Sequence, residues 1–258
     1  MSFTPETAAA ALAEARRARR TLIHLGDVAP RTEAEAAAAQ LVLARLLDAT
    51  PPGGFKIGAT AQRMQEYLGL TGPAAGFMAA RDIHADGARL SFAAFRNPGV
   101  ECELAVRLAR DIPPGPCTAE QAAEAVGDLM AAIEVVENRY GPLADLGTPT
   151  LIADQVFHAA AVTGAPFAGW RTLDIGALTG RITIEGQEKG SGVSRDLLGH
   201  PMNSLAWLAS SAVAAAFGGL KAGQVVMLGS VTPPMWVEAP GAVEVRFDPL
   251  PPVRLVLS

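Results

Sequence analysis

Glu101 and Glu103 flank Cys102 in the run VECEL, and this spacing is where chemistry can first be sought. Apolar residues recur at every second position from Val100 to Leu108, which predicts a strand, and residues two apart on a strand share a face. Two carboxylates therefore project together, opposite an apolar face. A solvated strand face carries glutamates in the same way, so the pair alone does not define a site. Glu134 shifts the balance, because it stands between Ile133 and Val135 in a segment too apolar to be solvated. A buried carboxylate is costly unless it is paired or bound to a cation. Three clustered carboxylates raise one another's pKa unless a cation neutralises them. An all-oxygen donor set suits a hard ion such as Mg²⁺ or Mn²⁺. Pairing of Glu134 with an arginine is the other option that spacing leaves open.

The chain that must position these groups has 258 residues, half of them hydrophobic and 18% charged, with a mean hydropathy of +0.24. Such a chain can bury a sizeable core, which excludes a disordered one. Its net charge is −5, and no basic tract interleaves with its few aromatics, which argues against a nucleic-acid partner. Cys102 and Cys117 are too few for a disulfide framework or a four-thiolate zinc site. The N-terminal residues lack the apolar run of a secretory signal, and the most apolar stretch, Ser204 to Leu220, is rich in Ala, Ser and Gly. That stretch reads as a buried helix rather than a membrane span. A soluble, cytoplasmic protein is expected. The shortage of charge with which to cover its surface points to a homo-oligomer.

Helical signals fill the front of the chain. Thr4-Pro5, Thr32 with Glu35, and Thr60 each offer an N-cap, the last for a helix AQRMQEYL that stops at Gly69. Between the second and third helices, Pro51-Pro52-Gly53-Gly54 breaks the pattern and delivers Phe55-Lys56-Ile57 as a short extended piece. From about Ala79 alternation takes over, with strands expected in VECELAVRL, LMAAIEVVEN, GRITIEGQ, QVVMLGS, AVEVRFD and VRLVL. The pattern predicts a single α+β unit over residues 1–258: a mainly helical portion over 1–78, followed by a strand-rich core over 79–258.

The blocks GFKIGAT, VECELAV, AAIEVVENR, LLGHPMNSLAWLA and LKAGQVVMLGSVT resemble, in the same order, the 2-keto-4-pentenoate hydratase and 2-oxo-3-hexenedioate decarboxylase group of the fumarylacetoacetate hydrolase superfamily. The resemblance runs from about Phe55 to Phe247. It implies a mixed β-roll core with an N-terminal helical portion, and a divalent metal held by Glu101, Glu103 and Glu134. It also implies a substrate-facing Lys56, and a ligand loop at Gly229, Ser230 and Thr232. His158 stands where the group keeps a residue near the substrate, with Gln155 and Phe157 beside it. His200 reads as structural, at the start of a helix, and His24 and His84 receive no role.

One departure bears on the chemistry. The group carries a Pro-Asp-Phe-Gly type segment whose Asp is an acid/base candidate, whereas this chain has Pro73-Ala74-Ala75-Gly76. Either His158 or Glu137 then substitutes, or the substrate differs, or the chain is not a catalyst. Phe77 and Met78 would line room for an apolar substrate tail. The resemblance implies a metal-dependent lyase, a hydratase acting on a small 2-oxo or 2-hydroxy-dienoic acid, as in meta-cleavage aromatic catabolism. Two alternatives accompany it. One is a decarboxylase of a 2-oxo-3-enedioate, for which Arg81, Arg96 or Arg139 would anchor the distal carboxylate. The other is a catalytically depleted subunit of a companion enzyme.

Overall fold

The computed structural model describes residues 2–258. Helix α1 (Pro5–Arg17) begins at Thr4, whose hydroxyl accepts from the Thr7 amide while the Thr7 hydroxyl accepts from the Thr4 amide. Helix α2 (Glu33–Leu46) is capped by Thr32. Alanines on both, including Ala8, Ala9, Ala36 and Ala37, are buried, so the two helices pack closely on each other. Strand β1 (Gly54–Gly58) and strand β2 (Ala74–Met78) then form an antiparallel pair around helix α3 (Gln62–Leu68). Thr60 does not cap α3, as the sequence suggests; Ala61 occupies the cap position without a side-chain bond, and Thr60 is buried elsewhere.

Short strands β3 (Ile83–Ala85) and β4 (Ala88–Leu90) precede the long β5 (Pro98–Leu108). Helix α4 (Ala119–Ala125), with a full capping box at Thr118 and Gln121, leads into β6 (Val126–Glu137). Helices α5 (Leu143–Leu146) and α6 (Thr148–Ala153) lead to β7 (His158–Thr163). Strands β8 (Thr179–Ile184) and β9 (Gln187–Val193) follow, the latter unforeseen because its QEKGSGV sequence carries no apolar alternation. The apolar stretch after Ser204 belongs to two helices rather than one, α7 (Pro201–Ala209) and α8 (Ala212–Ala216), parted at Ser210-Ser211 where Ser211 caps the second. The chain finishes with β10 (Val225–Ser230), β11 (Met235–Trp236), β12 (Gly241–Phe247) and β13 (Val253–Leu257). Among the described residues, no helix is long and apolar enough to cross a membrane.

The main sheet has the order β2-β1-β10-β5-β6-β7-β3, with β11 added to β5. Its β1 and β2 come from the front of the chain, so the expected helical portion over 1–78 contributes two strands to the core sheet. A second sheet, β4-β13-β12-β8-β9, packs across one face of β5 and β6. That face carries Cys102, Leu104, Ile133 and Val135, buried together with Ile182, Val245, Phe247 and Leu255. The other face of the same strands carries Glu101, Glu103 and Glu134, beside a small apolar cluster of Met78, Ala105, Met130, Ala132, Ala161, Val225 and Met227. Both cysteines are free thiols.

A buried polar knot ties α1 and α6 to the end of β6. Asp154 accepts from Arg16 Nε at 2.6 Å, from Arg139 Nε at 3.1 Å and from the Tyr140 hydroxyl at 2.8 Å. Burial opposes ionisation of Asp154, but Arg139 and Arg16 outweigh it and hold the carboxyl below its ordinary range. Removing the shared acid would leave buried Arg139 with only Glu137, at 3.5 Å, as an acidic partner. Asp154→Ala should therefore cost about 3–5 kcal/mol of stability, read as a lower urea midpoint at unchanged slope.

Candidate metal centre

Register brings the three glutamates together. Glu101 on β5 lies directly opposite Glu134 on β6, and Glu103 is one same-face step further along β5. One oxygen from each lies within 4.8 Å of the others. Glu103 and Glu134 are fully buried, whereas Glu101 is half-buried and faces the cleft.

The protein binds one oxygen of each buried glutamate and leaves the other without a partner. The Gly229 amide donates to Glu103 Oε2 at 3.0 Å, while Glu103 Oε1 has no partner. Glu134 Oε1 receives His158 Nδ1 at 2.8 Å and lies 3.4 Å from Lys56 Nζ, while Glu134 Oε2 has no partner. Orphaned buried carboxylate oxygens are costly. Two of them facing a third carboxylate form an all-oxygen donor set that fits a hard divalent cation. The arginine alternative is excluded by geometry, because the groups that meet Glu134 are the Lys56 ammonium and the His158 ring.

Electrostatics follow from this crowding. Burial, and then repulsion from Glu134, push Glu101 up to about 8 against the opposing pull of Lys56. Burial and the two neighbouring glutamates raise Glu103 well above its ordinary value. At Glu134 burial is outweighed by Lys56 and His158, which hold it below.

Lys56 is only 2% exposed, on β1. Its ammonium donates to the Val156 carbonyl at 2.9 Å and contacts Glu134, which leaves one of three N–H bonds for a ligand. Gly58 makes room for it: a Cβ there would lie 3.1 Å from Lys56 Nζ. The accepting carbonyl belongs to a turn in which Gln155, Val156 and Phe157 all have positive φ, at 64°, 49° and 66°. A left-handed run of three non-glycine residues, one β-branched, is unfavourable by itself and is held by its surroundings. No sequence signal announces it.

Gly229 has φ of 110°, and a Cβ on it would meet Thr60 at 2.5 Å, so only glycine lets the amide reach Glu103. Ser230 is spent on its own turn, with Oγ 2.7 Å from the Thr232 carbonyl. The Thr232 hydroxyl is buried and unpartnered. A recess of about 300 Å³ contains Glu101, Ser230 and Thr232. It adjoins a wider cleft of about 470 Å³ that contains Lys56 and Glu101 and is walled by Met64, Tyr67, Leu68, Leu143, Phe157 and Trp236. Arg63, which the sequence does not single out, lines both.

Several expected participants lie elsewhere. Phe77 packs against Phe217 on the outer face and Met78 sits in the small inner cluster, so neither lines the cleft. Glu137 faces away as well, accepting from the Arg96 amide at 2.8 Å. Arg81, Arg96 and Arg139 gather around a separate cavity. His200 caps α7 through Nδ1, 3.2 Å from the Met202 amide. Ala74 is paired opposite Gly58, on the Lys56 side of β2.

Residues 57–257 match the fumarylacetoacetate (FAA) hydrolase C-terminal family. The chain belongs to this family. A 2-keto-4-pentenoate hydratase of Burkholderia vietnamiensis (strain G4) is 32% identical over 97% of this chain and 96% of its own. A 2-hydroxyhexa-2,4-dienoate hydratase of Comamonas testosteroni is 32% identical over 94% and 92%. Among solved structures, a 4-oxalocrotonate decarboxylase from Pseudomonas putida G7, complexed with magnesium and adipate, shares the fold. Its TM-score is 0.85 over 100% of this chain and 99% of that one, at 24% identity. The expected β-roll with N-terminal helices is thus the fold of this FAA hydrolase family chain.

The raised carboxyls give a pH signature. A carboxyl whose folded pKa exceeds its ordinary 4.5 binds its proton more tightly in the native state, so its contribution is complete below about pH 4.5 and is lost as pH rises through about 8. Thermal scans of metal-free protein should therefore show Tm falling between about pH 5 and 8. Mg²⁺ should raise Tm most at the upper end, since bound metal needs ionised ligands. Glu101→Gln should flatten both responses.

Proposed function

We propose that the chain is a divalent-metal-dependent hydratase of a small 2-hydroxy-dienoic acid, acting through its 2-oxo form. The observation that carries this reading is the pair of buried glutamates, each with one oxygen bound by the protein and one free, beside Lys56 at the foot of an open cleft. Glu101, Glu103 and Glu134 would hold Mg²⁺ or Mn²⁺. When bound, the metal supplies Lewis-acid polarisation of the substrate's 2-oxygen.

The remaining work falls to side chains. The free N–H of Lys56 faces the substrate in the cleft, where it moves the proton that converts the dienol to the conjugated ketone. Water then adds across the remaining double bond, its proton going to one carbon and its hydroxide to the other. His158 reaches the site only through Glu134, so it acts by orienting that carboxylate, with its Nδ1 proton directed at Oε1. The Gly229 amide does the same for Glu103. Thr232 offers its unpartnered hydroxyl to the substrate carboxylate, on a loop closed by Ser230.

Two observations separate this reading from its alternatives. A decarboxylase of a dioic acid needs a cation for the distal carboxylate: Arg81, Arg96 and Arg139 line another cavity, and Arg63 is the one arginine among the described residues that line the cleft, in a wall otherwise largely apolar. The depleted-subunit reading rests on the acid missing at Ala74, which neither Glu137 nor His158 replaces in the cleft, whereas the carboxylate cluster and Lys56 are in place. We infer a homo-oligomer as well, given Ile23 and Leu46, neither of them lining the cleft, exposed at 48% and 50%. Light scattering should return a mass above the 26.7 kDa protomer.

Lys56→Met should lower kcat by about 10²–10⁴-fold while leaving Mg²⁺ affinity within a few-fold, measured by dienoate absorbance and by calorimetry. Equal loss of metal affinity would assign Lys56 to the metal rather than to the substrate. The apolar wall predicts a higher kcat/KM for dienoates with an alkyl or aryl tail than for 2-hydroxypenta-2,4-dienoate. Trp236→Ala should narrow that preference by about tenfold, the worth of roughly 1.4 kcal/mol of apolar contact.

A further inference from the structure

The arginines that a dioic-acid reading would have placed near the metal define a cavity of their own. It has a volume of about 330 Å³ and is lined by Arg16, Arg19, Arg20, Arg81, Arg96 and Arg139, against Asp82, Glu137 and Asp154. Consecutive residues at the end of β6 alternate across the sheet, with Val136 and Asn138 in the substrate cleft and Glu137 and Arg139 in this cavity. The left-handed turn divides likewise: Val156 and Phe157 line the cleft, while Gln155 and His158 line the cavity. The two spaces share no lining residue and lie on opposite sides of one strand.

The carboxylates in this cavity are already committed. Asp154 is held by Arg16, Arg139 and Tyr140. Glu137 receives the Arg96 amide at 2.8 Å and approaches Arg139 Nη1 at 3.5 Å. Asp82 is 3.9 Å from Arg81. The side chains of Arg19 and Arg96 meet neutral oxygens instead. Arg19 donates to the Ala93 carbonyl at 3.2 Å, and Arg96 to the Arg19 carbonyl and, at 2.8 Å, to Thr21 Oγ1. Arg81 is braced by the Leu47 and Asp48 carbonyls at 2.6 and 3.1 Å. Carbonyls and a hydroxyl fix the Arg19 and Arg96 forks in place without cancelling their charge, while Arg81 keeps Asp82, and Arg20 keeps Glu14, as acidic partners. Preoriented guanidinium groups in a concavity are the chemistry that binds carboxylate and phosphate oxygens. A positive concavity on a chain of net charge −5 also concentrates anions locally.

We propose that this cavity is a second ligand site, separate from the metal centre, for a small anion carrying two or three charges: a polycarboxylate or a phosphate monoester. Titration calorimetry of the magnesium-loaded full-length protein against tricarballylate and against glycerol phosphate tests it. Saturable binding of at least one anion with a Kd below about 1 mM is expected, and the tighter of the two names the class. Glu101→Gln, which disables the metal centre, should leave that Kd within about twofold, whereas Arg19→Gln with Arg96→Gln should weaken it at least tenfold. If circular dichroism shows the double variant unfolded, Arg81→Gln replaces it, and a loss of about threefold or more is expected. Absence of saturable heat from both anions up to about 10 mM overturns the proposal. So does binding that Glu101→Gln abolishes, or that the arginine variants leave unchanged.

Discussion

The repulsion among three carboxylates on the inner face of β5 and β6 is what the rest of the molecule is arranged to contain. Two of them are fully withdrawn from water, where an uncompensated charge is far costlier than at a surface. The protein answers with fixed donors: a backbone amide from β10, an ammonium from β1 and an imidazole from β7. Each donor comes from a different strand, so the sheet order β1-β10-β5-β6-β7 is also the order in which the site is enclosed. One oxygen per buried glutamate remains unanswered, and that residual demand is what a cation in the proposed site would meet.

The donors are in turn held by parts of the chain that never touch the site. Gly229 can present its amide only because Thr60 packs where a side chain would be. Lys56 is kept extended by the Val156 carbonyl, which belongs to the left-handed turn, and the residue before that turn is Asp154 at the centre of the arginine knot. A buried ion-pair cluster adds little net stability. Here it fixes the position of a strained turn, and through it the direction of the ammonium.

Much of this was legible from residue types. The alternation around Glu101 and Glu103 and the isolation of Glu134 among apolar residues each carry a local signal, Lys56 is marked only by the family resemblance, and the structure brings all four side chains together. The expectations that failed depended on tertiary context. Thr60 resembles an N-cap in sequence but is recruited to fill space beside Gly229. Phe77 and Met78 are adjacent in an apolar strand, and only the packing of each face decides that neither meets the cleft. The left-handed turn runs against the preferences of its own residues, so propensity points away from it. The cavity's arginines come from the end of α1, a short turn and several loops and share no periodicity, which is why their gathering around one cavity could not be foreseen.

The parallel pairing of β1 with β10 sets a schedule for assembly. Gly54 pairs with Val225 and Lys56 with Met227, contacts that span most of the chain, and β10 is also the bridge between β1 and β5. Until residues near 230 have emerged from the ribosome, the β1–β2 pair has no link to the rest of the sheet, and the edge of β5 that β10 will cover stays unpaired. Contacts of such sequence separation form slowly. The carboxylate cradle, which needs the Gly229 amide of β10, is therefore among the last features of the native state to be completed. Acquisition of metal by a growing chain would mark the end of folding rather than nucleate it.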